Sequence, residues 1–144
     1  MQIGIPAETW AGETRVAATP ETVKKLAAGG HHKLIVQAGA GLASTYQDAD
    51  YVAAGATLVQ TAAEVYGSAD LVLRVRGPEA SEVSQLRKGQ MLVALLAPHR
   101  KEGLEALAAQ GVTAFAMEWL PRISRAQSMD VLSSQANLAG YKSV

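Results

Sequence analysis

The chain has 144 residues, 49% of them hydrophobic and 18% charged, with a formal net charge of zero and no cysteine. This length and composition are typical of one domain with a substantial core. The absence of cysteine excludes disulfides and thiolate metal ligands, and the lack of a basic excess argues against binding to nucleic acid or to a membrane surface.

Short apolar runs predict the strands of the fold. Most of these runs contain few polar residues, and continuous apolar strands are typical of a sheet that is covered on both faces. We expect about five strands in one sheet. The runs are Gln2–Ile5, Lys33–Gln37, Thr57–Val59, Leu71–Val75, Met91–Leu96 and Val112–Met117.

Amphipathic stretches between the strands predict helices. The first begins after Thr19, a favourable N-cap, with Pro20 in its first turn, and it ends at Gly29. Because helices alternate with strands, right-handed crossovers and a mostly parallel sheet are expected. The sequence therefore predicts a doubly wound α/β fold of the Rossmann or flavodoxin type. The other predicted helices are Asp48–Ala54, Thr61–Tyr66, Ser81–Leu86, Arg100–Gln110 and one that begins within Asp130–Ser133.

The predicted elements divide the chain near residue 130. Residues 1–130 contain all the predicted strands and form the α/β domain, whereas residues 131–144 are the start of a helix. That helix reaches Val144 without a glycine or proline stop. We therefore expect it to connect to a second domain that this sequence does not contain.

Two motifs that suggest ligand or metal binding have a simpler interpretation. Gly39-Ala-Gly41 follows a strand, as a dinucleotide-binding loop does, but Ser44 stands at the third glycine position and no acid stands at a strand end about 20 residues on. We interpret it as a tight turn. His31 and His32 are adjacent in a loop, where they cannot readily face one metal, so no metal site is predicted.

Several charged residues stand at predicted strand ends, where α/β sheets bind ligands. Arg15 follows the first strand and can clamp a carboxylate or phosphate. His99 follows another strand and either contacts a substrate or is an exposed loop residue. Arg74 is costly inside the protein unless it is paired, so we interpret it as part of a structural ion pair. Arg76 is either paired in the same way or emerges at the end of the strand.

The segment Pro121–Ser134 contains two arginines, a glutamine, an aspartate and four serines, but no His, Lys or Cys. In one interpretation it is an ordinary loop in which Asp130 or Ser133 caps the last helix. In the other it binds a carboxamide, since Arg122 supplies donors, Asp130 supplies acceptors and Gln127 supplies both.

This segment and its surroundings resemble the N-terminal domain of the NAD(H)-binding (alpha) subunit of proton-translocating NAD(P) transhydrogenase. The related alanine dehydrogenase family is similar in its N-terminal part. The residues that carry the resemblance are Ile3–Pro6, Glu13–Pro20, Gly39–Gly41, Pro121–Asp130, Leu132–Ser134 and Asn137–Tyr141.

The resemblance implies roles for residues of the polar segment. Arg122, Asp130 and Ser133 would hold the NAD(H) carboxamide, and Gln127 would reach towards NADP(H) on another subunit. The implied catalytic residues are Gln127, Asp130 and Arg122. The implied cofactor-binding residues are Arg122, Ile123, Ser124, Gln127, Asp130, Leu132 and Ser133.

The resemblance also implies a larger assembly. The chain would be one domain of a two-domain subunit, peripheral to the cytoplasmic side of a bacterial inner membrane, with a homodimer as the expected form. Its partners would be NADP(H)-binding and membrane-spanning subunits. Hydride would pass directly between the two nicotinamides, coupled to proton translocation in the membrane, and this chain alone would be inactive.

Two alternative functions remain at this stage. An alanine-dehydrogenase-like enzyme would use Arg15 for the substrate carboxylate, but Arg76 stands at the place of the family's substrate-contacting Lys. Ala97 stands at the place of its catalytic His, with His99 two positions away, and oxidative deamination needs a proton acceptor. The third possibility is a non-catalytic α/β module whose last loop is a docking surface.

Overall fold

The computed structural model describes residues 1–143, which contain one sheet of six parallel strands. The predicted doubly wound α/β fold is confirmed, with six strands where about five were expected. The order across the sheet is β3-β2-β1-β4-β5-β6. The strands are β1 Gln2–Ile5, β2 Lys33–Gln37, β3 Ala56–Val59, β4 Leu71–Arg76, β5 Met91–Leu95 and β6 Thr113–Ala116.

Helices connect the strands as predicted, with small differences in length. The helix predicted at Ser81–Leu86 ends at Val83, because the chain then turns and places Leu86 in the core. None of the helices within residues 1–143 is both long and apolar enough to cross a bilayer. The helices are α1 Pro20–Ala27, α2 Asp48–Ala53, α3 Ala62–Ser68, α4 Ala80–Val83, α5 Lys101–Gln110 and α6 Val131–Lys142.

Local sequence sets the start of two of these helices. The Thr19 hydroxyl accepts a hydrogen bond from the Thr22 amide at the start of α1, as the sequence predicted. Asp130 is the N-cap of α6, which begins within the predicted range. Val144, where we expected that helix to continue, lies outside the described residues.

The strand order reverses at β1. From β1 the chain moves outward through β2 and β3, and it then returns to add β4, β5 and β6 on the other side. Such a reversal opens a crevice at the carboxyl ends of the two central strands, where α/β sheets place their ligands. The loops that follow β1 and β4 therefore border the expected site.

The core lies on both faces of the sheet. On one face Ile5 and Val36 pack with Val23 of α1 and Tyr51 of α2. On the other face a second cluster joins β4 and β5 to helices α3, α4 and α5. Gly4 belongs to the central strand and points at α3, which approaches closely because glycine has no side chain.

A buried ion network holds the two central strands together at the reversal. Arg74 of β4 is only 4% exposed. Its Nη1 lies 2.6 Å from Glu82 Oε1 and donates to the Tyr66 hydroxyl, and its Nη2 donates to the Thr9 hydroxyl and lies 3.6 Å from Glu8 Oε2. The prediction that Arg74 forms a structural ion pair is confirmed.

The second carboxylate of the network, Glu8, also accepts hydrogen bonds from backbone amides at the end of β4. β1 pairs with β4 only at Leu71 and Val72. Beyond these residues, the amides of Val75 and Arg76 donate to the Glu8 carboxylate at 2.7 and 3.2 Å. The loop after β1 is therefore fixed to the end of β4 by both charge and hydrogen bonds.

We expect Gly4→Ala to destabilise the fold. A Cβ at this position would lie 2.6 Å from Val65 Cγ1 and 2.7 Å from Ala69 Cβ, and such overpacking typically costs about 1–3 kcal/mol. Gly67→Ala is the control, since its Cβ would meet nothing within 4 Å and a helix gains about 0.5–1 kcal/mol from alanine. In urea unfolding, the free energy of unfolding should therefore decrease in Gly4→Ala and increase in Gly67→Ala. Equal changes in the two variants would contradict the close approach of α3.

Arg74→Met should cost about 3–5 kcal/mol of unfolding free energy, because it leaves buried carboxylates without a counter-charge. The matched control is Lys25→Met, which removes an exposed partner of Glu21 and should change stability far less, because an exposed ion pair contributes little. Denaturant midpoints measured on both variants provide the comparison. Similar shifts for the two variants would contradict a structural role for the buried network.

Candidate functional site

The polar segment after β6 lies at the surface. Within Pro121–Met129 only Ala126 is buried, at 5% exposure. Residues Ser124–Met129 form a short 3-10 helix, and α6 follows directly. The side chains of this segment are therefore not used to fill the core and can contact a ligand.

Most of the predicted site residues border one cavity of about 380 Å³. Leu132 does not border it and lies instead on a neighbouring cleft. This volume is within the usual range for small-molecule sites. The predicted residues that line the cavity are Arg122, Ile123, Ser124, Gln127, Asp130 and Ser133.

Asp130 has a structural role as well as a place in the cavity. Its Oδ1 accepts from the Ser133 amide at 3.0 Å, and its Oδ2 accepts from the Ser133 hydroxyl at 2.6 Å. Of the two predicted candidates for the cap of the last helix, Asp130 and Ser133, the structure has Asp130. The Ser133 hydroxyl lowers the pKa of Asp130 most, followed by the Ser133 amide, with a smaller contribution from the charge of Arg122. The carboxylate is therefore a charged acceptor at neutral pH.

Arg122 and Gln127 are the two largest polar side chains that line the cavity. Both are exposed, and within residues 1–143 neither side chain takes part in a hydrogen bond. A guanidinium has five N–H donors, and a carboxamide has both donors and an acceptor. The cavity thus presents donors, acceptors and one negative charge, but no side chain that titrates near neutral pH.

A second cleft of about 730 Å³ lies beside the first and contains Arg15, Arg76 and His99. Arg15 is already engaged there, since its Nε and Nη2 donate to the two carboxylate oxygens of Glu13 at 2.7 and 2.6 Å. This pairing lowers the pKa of Glu13, whose side chain is 6% exposed. The third nitrogen, Nη1, donates to Gln135 of α6 at 3.1 Å.

Arg76 emerges at the end of β4, one of the two outcomes expected for it. Its guanidinium lies 4.8 Å from the centre of the Trp10 ring, in a cation–π contact rather than an ion pair. The Trp10 indole N–H in turn donates to the Gly77 carbonyl at 2.7 Å. Sequence reasoning did not identify Trp10, because a lone tryptophan in a loop gives no local signal of its partner.

Glu118 is a further residue that the sequence did not indicate. It follows β6, and its carboxylate accepts from the amides of Leu96 and Ala97 at 3.1 and 2.6 Å. Ala97 has a φ of 49°, a left-handed conformation that non-glycine residues seldom adopt. Glu118 therefore shapes the loop that carries His99. The only signal in the sequence was an acid at the end of a strand.

The Gly39–Gly41 motif and the His31-His32 pair both lie in turns. Gly39 has a φ of 80°, which fits the predicted tight turn, and a Cβ on Gly41 would lie 2.6 Å from the Tyr51 ring. His31 and His32 lie in the turn before β2. The described part of the chain contains no group of three His, Cys, Asp or Glu side chains that could hold a metal ion.

Comparison with known proteins relates these features to a family. Residues 4–139 match the family model described as alanine dehydrogenase/PNT, N-terminal domain. The whole chain is 46% identical to the NAD(P) transhydrogenase subunit alpha of Cereibacter sphaeroides and covers 28% of that protein. It is 41% identical to the alanine dehydrogenase of Mycobacterium tuberculosis, with 97% of this chain and 37% of that protein aligned.

A solved structure agrees with the sequence matches. The crystal structure of transhydrogenase from Sinorhizobium meliloti superposes with a TM-score of 0.92 at 47% identity, covering 98% of this chain and 42% of that chain. The chain thus spans less than half the length of each of these three relatives.

Ser133→Ala should raise the pKa of Asp130 towards its ordinary value, because the main cause of the lowered pKa is the Ser133 hydroxyl. The carboxylate cap stabilises the fold above that ordinary pKa, and its contribution is lost as the pH falls through the lowered folded value. In the variant this loss should therefore be smaller, and it should be complete at a higher pH. Carboxyl carbon chemical shifts measured against pH follow the titration.

Ser134→Ala is the control for this titration. The Ser134 hydroxyl donates to the Asp130 backbone carbonyl at 3.0 Å and leaves the carboxylate untouched. The pKa of Asp130 should stay at its lowered value in this variant. An equal rise in both variants would contradict the assignment of the shift to the Ser133 hydroxyl.

Proposed function

Because the chain belongs to the alanine dehydrogenase/PNT N-terminal domain family, we propose that it supplies the polar loop of a site for direct hydride transfer between NAD(H) and NADP(H). It is, on this proposal, the N-terminal domain of an NAD(P) transhydrogenase alpha subunit. The observation that carries the proposal is the cavity in which Arg122, Gln127 and Asp130 meet.

The groups of the cavity fit a nicotinamide carboxamide. The carboxamide offers one carbonyl acceptor and one NH2 donor. Arg122 donates to the carbonyl, and Asp130 accepts from the NH2 group with the lone pairs that Ser133 leaves unused. The Gln127 carboxamide can both donate and accept hydrogen bonds, which suits a residue placed between two nicotinamide rings. Ile123 and Ser124 complete the lining.

The lack of a general base also fits this reaction. The nicotinamide ring, when bound, supplies or receives the hydride, so the protein need not move a proton at that step. Arg122, Gln127 and Asp130 have to orient the ring and exclude water, and correct orientation alone can contribute about 7–11 kcal/mol to lowering a barrier. Proton translocation then belongs to ionisable groups of a membrane-embedded partner.

The proposal includes the rest of the assembly. A second domain of the same subunit binds most of NAD(H), and another subunit carries NADP(H) and the membrane-spanning helices. The subunit is a homodimer on the cytoplasmic side of the membrane. This chain alone lacks most of the nucleotide-binding surface, so it is inactive and binds NAD(H) weakly.

Alanine dehydrogenation is the second candidate, and its support is the 41% identity to an alanine dehydrogenase. Two observations argue against alanine dehydrogenation. The Arg15 nitrogens that would bind a substrate carboxylate already donate hydrogen bonds to Glu13 or Gln135. The place of the family's catalytic His is held by Ala97, which cannot accept a proton. Alanine-dependent NADH formation by the full-length protein would favour this candidate.

A non-catalytic docking module is the third candidate. It requires no nucleotide, and an NADH titration of the full-length protein without any binding would favour it. The unused hydrogen-bonding groups of Arg122 and Gln127 suit a small polar ligand at least as well as a protein surface, and nothing in the segment selects a particular protein partner.

In the complete assembly, Gln127→Asn should slow hydride transfer much more than it weakens NADH binding. Asparagine keeps the carboxamide but shortens its reach, and a misplacement of about 1 Å can cost up to a hundredfold in rate. Single-turnover transfer between NADH and an oxidised NADP analogue gives the rate, and fluorescence titration gives the NADH dissociation constant.

Gln60→Asn is the matched control. Gln60 is exposed beyond β3, away from the cavity, and its replacement should leave both quantities unchanged. Wild-type turnover in Gln127→Asn would reject the proposed role of Gln127. A parallel loss of transfer rate and NADH affinity would assign Gln127 to ground-state binding instead.

A further inference from the structure

Helix α6 is held by few contacts, although its first turn carries two residues of the candidate site. None of the twelve residues Val131–Lys142 is buried. An isolated helix of this length is marginally stable in water. The angle at which α6 leaves the domain must therefore depend on a small number of specific interactions.

One of these interactions reaches α6 from the loop after β1. Arg15 Nη1 donates to Gln135 Oε1 at 3.1 Å, across 120 positions of sequence. Within residues 1–143 it is the one side-chain hydrogen bond between α6 and the strands, helices and loops that precede Asp130. Arg15, Val131 and Gln135 border the same cleft, of about 600 Å³.

The donor in this bond is itself fixed. The other edge of the Arg15 guanidinium binds both oxygens of Glu13, and Glu13 Oε1 also accepts from the Arg15 amide at 3.0 Å. A planar guanidinium with two such bonds points its remaining nitrogen in one direction. A lysine ammonium in the same place could not make all of these contacts at once.

We propose that Arg15 is a positioning residue that acts through Gln135 to hold α6 at the angle at which Asp130 and Ser133 meet the nicotinamide carboxamide. This inference rests on the proposed function, since it is the orientation of that site that Arg15 controls. Glu13 orients the Arg15 guanidinium, and Arg15 Nη1 donates a hydrogen bond to Gln135. This bond sets the position of the first turn of α6.

The test uses two substitutions at residue 135 in the full-length subunit within its complete assembly. Gln135→Leu removes the acceptor but keeps a good helix former of similar size. Gln135→Glu keeps an oxygen acceptor towards Arg15. We expect hydride transfer to be about tenfold slower in the leucine variant, within the range that small misplacements cost, and close to wild type in the glutamate variant. NADH affinity should change little in both.

A second readout does not depend on the reaction. Amide hydrogen exchange of the peptide that covers α6 should be about two- to tenfold faster in Gln135→Leu, the factor that one lost hydrogen bond predicts, and unchanged in Gln135→Glu. Asn137→Leu is the control, because a residue two positions along lies about 200° around the helix. It should leave both the exchange and the transfer rate unchanged.

Arg15→Lys tests whether Arg15 influences hydride transfer through Gln135. If Arg15 acts through Gln135, this variant should be slowed about as much as Gln135→Leu, and combining the two should slow transfer little further. Fully multiplicative effects would overturn the inference, because they would mean that Arg15 acts by another route.

The outcomes also separate this inference from the proposed function. Unchanged exchange in Gln135→Leu overturns the inference whatever the rates. Faster exchange with an unchanged transfer rate, while Gln127→Asn is slow, overturns the positioning role and leaves the proposed function intact. Absence of hydride transfer between NADH and the NADP analogue in the wild-type assembly rejects the proposed function, and the inference is then overturned with it.

Discussion

The buried guanidinium of Arg74 fixes the loop after β1 against helices α3 and α4. It joins the loop after β1, through Glu8 and Thr9, to Tyr66 of α3 and Glu82 of α4. Burial alone would raise the pKa of Glu82, but the Glu79 amide and Arg74 outweigh it and the pKa is lowered. Since a buried charge without a partner is costly, these segments keep one arrangement at the point where the strand order reverses.

Acidic side chains accept backbone amides in the loops at the carboxyl edge of the sheet. Glu8 accepts the free amides at the end of β4, and Glu118 accepts those after β5. Asp130 accepts the Ser133 amide at the start of α6. Backbone amides that leave regular structure need acceptors. Each of these carboxylates meets that need and at the same time fixes a loop that borders a cleft.

This arrangement separates the charges that hold the fold from the polar groups that line the surface cavity. Glu8, Glu13 and Glu82 are engaged with arginines or backbone amides. The exposed side chains of Arg122 and Gln127 remain for hydrogen bonding at the surface cavity. A site with donors and acceptors but no general base is suited to holding a planar amide-bearing ring, and it is poorly suited to proton transfer.

The sequence determined the features that depend on neighbouring residues. Apolar runs and capping residues indicated the strands and helices, and the composition of Pro121–Ser134 indicated a cap at Asp130 or Ser133 and a set of hydrogen-bonding side chains. The tertiary structure decided which distant groups meet. It paired Arg15 with Gln135 across 120 positions, placed Arg76 on Trp10, brought Glu118 to Ala97 and directed Leu132 to a different cleft. Local patterns repeat over a few residues, whereas these partners are set by the strand order and by where each strand ends.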